Sequence, residues 1–215
     1  FQEIDGVEVV AVCNRSRESG QKAADEFGIA TVYENWQELV AADDIDAVCV
    51  GTWPYLHCDI SIATLEAGKH ILTEARMAMD LAEARRMQAA AKGSDRVAMI
   101  VPAPFYLESE PTLLQMVADG AFGSLLEIHV SALGGGFDTS TPLHWRQRRD
   151  LSGQNIMAMG ILNETVRRYA GHDRALVAHA HTFTTHRPDP EGGKRAVDVP
   201  DSLGIVTELE SGATA

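Results

Sequence analysis

IDAVCVGTWPYLHCDISIATLEAGKHILTE, residues 45–74, is the stretch on which the fold turns. Ile45 to Val50 is a short apolar run with β-branched residues, the pattern of a strand buried on both faces. It breaks at Gly51-Thr52-Trp53-Pro54, where glycine and proline end regular structure. His57 to Ala67 reads as a helix closed by Gly68, and His70 to Thr73 is again a strand. Strand, turn, helix and strand within about thirty residues make a βαβ unit.

Working outward, the same alternation continues on both sides. Upstream, Val7 to Cys13 (VEVVAVC) is a second apolar run with the look of a buried strand. Ser16 is placed to cap a helix running through Phe27, with Gly28 as its stop. Ala30 to Tyr33 is a short strand and Asn35 to Ala42 a short helix. Downstream, Asp80 caps a helix that carries Leu81, Ala84, Met87 and Ala91 on one face, ended by Gly93. Val97 to Val101 returns as a strand. This order predicts an α/β Rossmann domain with a doubly wound parallel sheet over residues 1–102.

After residue 102 the pattern changes, and residues 103–215 read as an α+β domain with an open, mostly antiparallel sheet. Ser109-Glu110-Pro111 starts a helix running to Asp119, with proline tolerated in the first turn. Leu125 to Leu133 alternates like a half-exposed strand, and Leu176 to Thr184 and Leu203 to Leu209 are further strand candidates. Between them lie a polar loop, Thr139 to Gly153, and a helix, Asn155 to Tyr169. Arg187 to Val199, rich in Pro, Gly and charge, reads as a surface loop.

Bulk properties exclude several classes of function. The 215 residues carry a formal net charge of −13, which disfavours a nucleic-acid partner or an anionic membrane surface. No run approaches ~18 consecutive apolar residues, so no membrane helix is expected. Cys13, Cys49 and Cys58 are odd in number and show no paired spacing, which fits a reducing, cytoplasmic setting. The chain does not begin with Met, so a partial sequence is expected.

Gly51-Thr52-Trp53-Pro54-Tyr55-Leu56-His57, followed by Leu65-Glu66-Ala67-Gly68-Lys69-His70-Ile71-Leu72-Thr73-Glu74, resembles the Gfo/Idh/MocA (glucose–fructose oxidoreductase-like) family. The resemblance runs from about residue 7 to the end. It implies an NAD(P)-dependent oxidoreductase acting on CH-OH groups of a sugar, cyclitol or related hydroxylated small molecule. It also implies a G-x-G-x-x-G turn after the first strand, which is absent here. The missing N-terminal part is expected to amount to ~25–30 residues, the size of a βα unit, and the C-terminal sheet is expected to continue past Ala215. The family often forms homodimers or homotetramers through that sheet.

The candidate cofactor residues follow from position and from this resemblance. Asn14-Arg15-Ser16 ends the strand where NAD-specific domains place a carboxylate for the ribose hydroxyls. An Arg there suits the 2′-phosphate of NADP, so NADP is favoured over NAD. The bland alternative is a solvated basic residue beside a helix cap. Gly51, Thr52, Trp53 and Pro54 sit at the carboxyl end of a parallel strand, where α/β sheets bind ligands, and the resemblance sets His57 beside them. Glu74 begins the family's Glu-Lys-Pro, but the next residues are Ala75 and Arg76. Arg76 either stands in for the lost cation or pairs with a nearby acid, and arginine is a poor proton donor.

The resemblance also places Trp145 and Arg146 near the cofactor. His144 stands where a general base is expected, or is simply a surface-loop histidine. The family's Asp and His on the following helix are replaced by Ala158 and Leu162, with Asn163 and Glu164 beside them. Glu164 is the remaining candidate catalyst, although one residue rotates a helical side chain by ~100°. His179-x-His181 shares a strand face, but no further ligand is spaced to complete a metal site, and none is expected. Three functions remain: an oxidoreductase with a divergent site built on Arg76, His144 and Glu164, a catalytically silent dinucleotide-binding sensor or scaffold, and a plain interaction module.

Overall fold

The computed structural model describes residues 1–102, 107–134, 138–154 and 158–215. The chain divides into two compact units, Phe1–Val101 and Pro102–Ala215.

In the first unit, strands β1 (Ala11–Cys13), β2 (Thr31–Tyr33), β3 (Ala47–Val50), β4 (His70–Thr73) and β5 (Ala98–Ile100) alternate with helices α1 (Arg17–Phe27), α2 (Trp36–Ala41), α3 (His57–Glu66) and α4 (Leu81–Lys92). All pairings are parallel. β1 pairs with β2, and β4 lies between β3 and β5. The two ladders share one core, since Val10 and Ala11 pack with Val48, Val50, Ile60 and Ile71. Each such buried aliphatic side chain contributes roughly 1.5–3 kcal/mol.

Local signals fix the helix boundaries. Ser16, Asn35 and Asp80 each accept a hydrogen bond from the backbone N–H three residues on, so each helix starts where its cap stands. Gly28 ends α1 in the left-handed region at φ 67°. Gly20 lets α1 lie close to β2, because a Cβ there would meet Val32 Cγ1 at 2.9 Å. Lys69 is only 8% exposed, and its Nζ donates to the carbonyls of Ala42 (2.6 Å) and Ile45 (2.7 Å). The Gly-Lys-His sequence therefore ties the end of α2 to the entry of β4.

The strands are shorter than their apolar runs. Residues 7–10 lie outside β1, which pairs with β2 only. β3 alternates exposed and buried rather than being covered on both faces, with Ala47 and Cys49 outward and Val48 and Val50 inward. Met87 is buried on α4, whereas Leu81 at its first turn is exposed.

The second unit contains helices α5 (Glu110–Ala118), α6 (Arg149–Ser152) and α7 (Met159–Ala170), with strands β6 (Asp173–His181), β7 (His186–Pro188), β8 (Lys194–Ala196) and β9 (Ser202–Leu209). β6 pairs antiparallel with β9, and β7 with β8. Asp173 joins α7 to this sheet: Arg167 (2.9 Å) and Asn163 (3.3 Å) donate to its Oδ2, and the Thr207 hydroxyl lies 3.0 Å from its Oδ1. Arg168 and Tyr169 hold Glu110, which links α7 to α5.

Three expectations are corrected here. Residues 125–133 form no strand, only an isolated bridge between Glu127 and Thr214, so their alternation finds no long partner. The supposed loop 187–199 contains the β7–β8 hairpin, held by backbone pairing despite its polar composition. The loop 139–153 contains a 3₁₀ turn, Trp145–Gln147, and the short helix α6. The expected start of the last long helix, residues 155–157, lies outside the described residues.

Candidate functional site

In the first unit the candidate cofactor residues gather at the carboxyl ends of β1, β3 and β4. β1 delivers Asn14-Arg15-Ser16 into α1. Asn14 Nδ2 donates to the Ser19 carbonyl at 3.0 Å. The Ser16 hydroxyl accepts from the Ser19 N–H at 3.2 Å, so it is engaged in capping α1. Arg17 pairs with Glu34 and is turned away to β2. Arg15 is exposed, and its guanidinium carbon lies 5.5 Å from the centroid of the Trp53 ring, over its face. Two segments 38 positions apart in sequence, by the difference between 53 and 15, are thereby brought together.

The turn carrying Trp53 is fixed from beneath. Gly51 leaves β3, the Thr52 hydroxyl donates to the Trp53 carbonyl (3.2 Å), and the buried Pro54 begins a 3₁₀ turn. His57 opens α3 and is 1% exposed. Its Nε2 lies 2.9 Å from the Thr52 carbonyl and its Nδ1 2.8 Å from the Arg76 carbonyl. Both ring nitrogens are thus occupied by backbone, and His57 acts by joining the turn after β3 to the loop after β4. Glu74 continues the β4 ladder through its N–H to Val50 and folds its carboxylate onto the N–H of Ala75. Arg76 is half-buried, follows a cis peptide, and supplies the carbonyl that meets His57.

In the second unit His144, Trp145 and Arg146 form a compact group. The His144 and Trp145 rings are 5.5 Å apart, and the Arg146 guanidinium lies 4.1 Å from the Trp145 ring centroid. His144 Nδ1 accepts from the Arg146 N–H at 3.2 Å, which requires that nitrogen to be unprotonated. Burial, and then the Arg146 charge, hold the His144 pKa below the usual imidazole value. The group is carried by the β7–β8 hairpin. Arg187, 2% exposed, donates to the Asp138 carbonyl (2.6 Å) and to Thr141, and the Leu143 N–H donates to the Pro188 carbonyl (2.8 Å). Asp198 accepts from the Arg149 N–H at 2.7 Å.

Glu164 is exposed on α7. Ala158, Leu162 and Asn163 instead line a cavity of about 190 Å³ with Ile128, Val130 and Ile205. A larger cavity of about 840 Å³ lies among Val117, Phe122, Leu125, Ile128, Thr165 and Tyr169. None of the candidate site residues lines either one. Arg187 carries no signal in the sequence, being an arginine inside a charged loop, whereas Asn163, one of the two polar residues beside the lost motif, lies on the cavity and Glu164 does not. His179 and His181 stack at 6.5 Å on the exposed face of β6, and among the described residues no group of three or more His, Cys, Asp or Glu could hold a metal ion.

Parallel strands whose carboxyl ends collect an arginine, an aromatic turn and a glutamate define a dinucleotide-binding unit of Rossmann type. Residues 1–101 match the family described as oxidoreductase family, NAD-binding Rossmann fold. The first unit thus matches the Gfo/Idh/MocA family. It is 28% identical to levoglucosan dehydrogenase of Pseudarthrobacter phenanthrenivorans (strain DSM 18606 / JCM 16027 / LMG 23796 / Sphe3), across 94% of this chain and 56% of that protein. It is 42% identical to 1,5-anhydro-D-fructose reductase of Ensifer adhaerens, across 40% of this chain and 26% of that protein. Among solved structures, levoglucosan dehydrogenase in complex with NADH and L-sorbose superposes with a TM-score of 0.85 at 26% identity, covering 96% of this chain and 56% of that one. The chain thus spans about half the length of the relatives it matches. Among the described residues no helix is long and apolar enough to cross a membrane.

Proposed function

We propose that this chain is the dinucleotide-binding unit, with an adjoining α+β unit, of an NAD(P)-dependent oxidoreductase. It moves hydride to or from a CH-OH carbon of a sugar, cyclitol or related polyhydroxylated small molecule. The observation that carries this is the convergence of Arg15 and Trp53 at the carboxyl ends of β1 and β3, within a family whose Rossmann unit binds NAD. The residues fit such a cofactor. Asn14, Arg15 and Ser16 stand at the ribose end, and Gly51, Thr52, Trp53, Pro54 and Glu74 line the strand ends, with His57 holding their turn. Trp145 and Arg146 are the cofactor contacts proposed from the second unit.

NADP is the preferred form. No carboxylate stands at residues 14–16, where the ribose hydroxyls of NAD would be accepted, and an exposed guanidinium does. The bound nicotinamide supplies the hydride chemistry, and the protein positions and polarises. In this divergent site His144, kept neutral by its lowered pKa, is the proposed base, taking a proton at Nδ1 once that nitrogen gives up its bond from the Arg146 N–H, and Arg76 and Glu164 supply charge. Similarity to the sugar-acting relatives supports the substrate class. The proposed setting is cytoplasmic, and the proposed assembly a homodimer or homotetramer through the β6–β9 face that bears the exposed pair Val177 and Val206.

One observation favours a second reading, a dinucleotide-binding sensor or scaffold without turnover. Ala75, Ala158 and Leu162 occupy the positions at which the family keeps its Lys, Asp and His. The test is titration of the full-length protein with NADPH and NADH, followed by nicotinamide absorbance with a panel of polyols. Binding with turnover supports the oxidoreductase, binding without turnover supports the sensor, and failure to bind either dinucleotide refutes both.

A further inference from the structure

We infer that Trp53 is a specificity-determining residue for the cofactor, acting by presenting Arg15 to the 2′-phosphate. This rests on the NADP reading above and goes beyond it, because it assigns the selectivity to a residue that makes no phosphate bond. The guanidinium carbon of Arg15 lies 5.5 Å from the Trp53 ring centroid, within the reach of a cation–π contact. Such a contact uses the flat face of the guanidinium. Its edge, which carries the N–H groups, stays available for the two parallel bonds that a phosphate monoester accepts.

The surrounding residues leave that task to Arg15. Arg17, the neighbouring cation, is committed to Glu34. Asn14 is committed to the Ser19 carbonyl, and the Ser16 hydroxyl to the first turn of α1. A free arginine side chain carries considerable rotamer entropy, which a ligand must overcome when it orders the group. Resting on Trp53, Arg15 is ordered before the ligand arrives. Trp53 is itself held, since its turn is fastened by Pro54 and by His57 through the Thr52 carbonyl. Selectivity for NADP is therefore set across two strand ends, by Arg15 after β1 and by the indole after β3.

The test compares NADPH and NADH dissociation constants by calorimetry for the full-length wild type, Arg15→Ala, Trp53→Leu, Trp53→Phe and the double variant Arg15→Ala/Trp53→Leu. The wild type prefers NADPH. Trp53→Leu cuts the preference for NADPH over NADH by ~2- to 5-fold, the span of a cation–π contact at an exposed site, beyond any contact it removes from both dinucleotides alike. Trp53→Phe, which keeps a ring face, retains most of the preference. Arg15→Ala abolishes it, and the double variant loses no more than Arg15→Ala does. An unchanged far-ultraviolet circular dichroism spectrum with cooperative thermal unfolding shows that each variant is folded. If Trp53→Leu weakens both dinucleotides equally, or changes neither, the role given to Trp53 is overturned while the NADP reading stands. If the wild type itself does not prefer NADPH, the NADP reading falls and takes this inference with it.

Discussion

Replacing His57 by Leu removes a side chain that touches both the turn after β3 and the loop after β4. His57 is 1% exposed, with ring nitrogens 2.9 Å from the Thr52 carbonyl and 2.8 Å from the Arg76 carbonyl. Leucine fills a similar volume but donates nothing. A neutral imidazole donates to one carbonyl and an imidazolium to both, so the change deletes at least one hydrogen bond with a net value of about 1 kcal/mol. It also leaves a carbonyl with its partner gone, at a further cost of roughly 1–3 kcal/mol that water reaching the half-buried turn reduces. The expected loss is about 2 kcal/mol, read as a fall of ~1 M in the urea midpoint. His57→Gln, which keeps one amide donor, recovers part of it. Because the turn as a whole loosens, NADPH and NADH affinities drop together, unlike the change of ratio expected for Trp53. A His57→Leu protein that unfolds within ~0.5 kcal/mol of the wild type and binds both dinucleotides unchanged would refute the argument.

Lys69→Met removes charge-assisted bonds to the Ala42 and Ile45 carbonyls, and relief of the buried charge offsets part of the loss. The net expectation is ~2 kcal/mol lower stability by denaturant titration, and an unchanged midpoint would show the bonds to be worth nothing. Asp201 accepts from the N–H groups of Phe183 (2.8 Å) and Thr184 (2.9 Å). Burial pushes its carboxyl pKa up, but these bonds outweigh that and hold it below the ordinary value. Its contribution to stability is therefore full above the unfolded pKa of about 3.9 and is lost as pH falls through the folded value. Asp201→Asn should flatten the acid limb of the stability profile, and an acid limb as steep as that of the wild type refutes this. For His144 the folded pKa lies below the unfolded ~6.5, so the folded protein binds fewer protons between the two values. Its contribution is complete above ~6.5 and shrinks as pH falls toward the folded value. An NMR titration midpoint at or above 6.5 would contradict this.

The first unit is legible in sequence because its signals are local. Ser16, Asn35 and Asp80 cap the helices they precede, and Gly28 ends α1 with a positive φ that few other residues adopt. The order of strands and helices then implies parallel pairing, since each crossover returns the chain in the same direction. The second unit depends on partners distant in sequence. Residues 125–133 alternate correctly for a strand, but a strand also needs a neighbour, and their described pairing amounts to one bridge. The β7–β8 hairpin has the opposite character, since its polar residues give no alternation and its pairing comes from backbone alone.

The same division runs through the candidate site. Position at a strand end can be read from a sequence, which is why the Arg15 and Trp53 segments both stand out as cofactor candidates. What joins them is a contact between side chains with no spacing rule. On α7 the reverse holds. Ala158 and Leu162 look like deletions when set against the family's Asp and His, yet they line a cavity together with Ile128, Val130 and Ile205. An ionised Asp or a His there would need polar partners, and the two that line the cavity among the described residues, Asn163 and Thr207, are already bonded to Asp173. Ala158 and Leu162 therefore suit the largely apolar residues with which they share the cavity. On the oxidoreductase reading proposed above, proton transfer then falls to the His144 group, which the β7–β8 hairpin holds in place through Arg187.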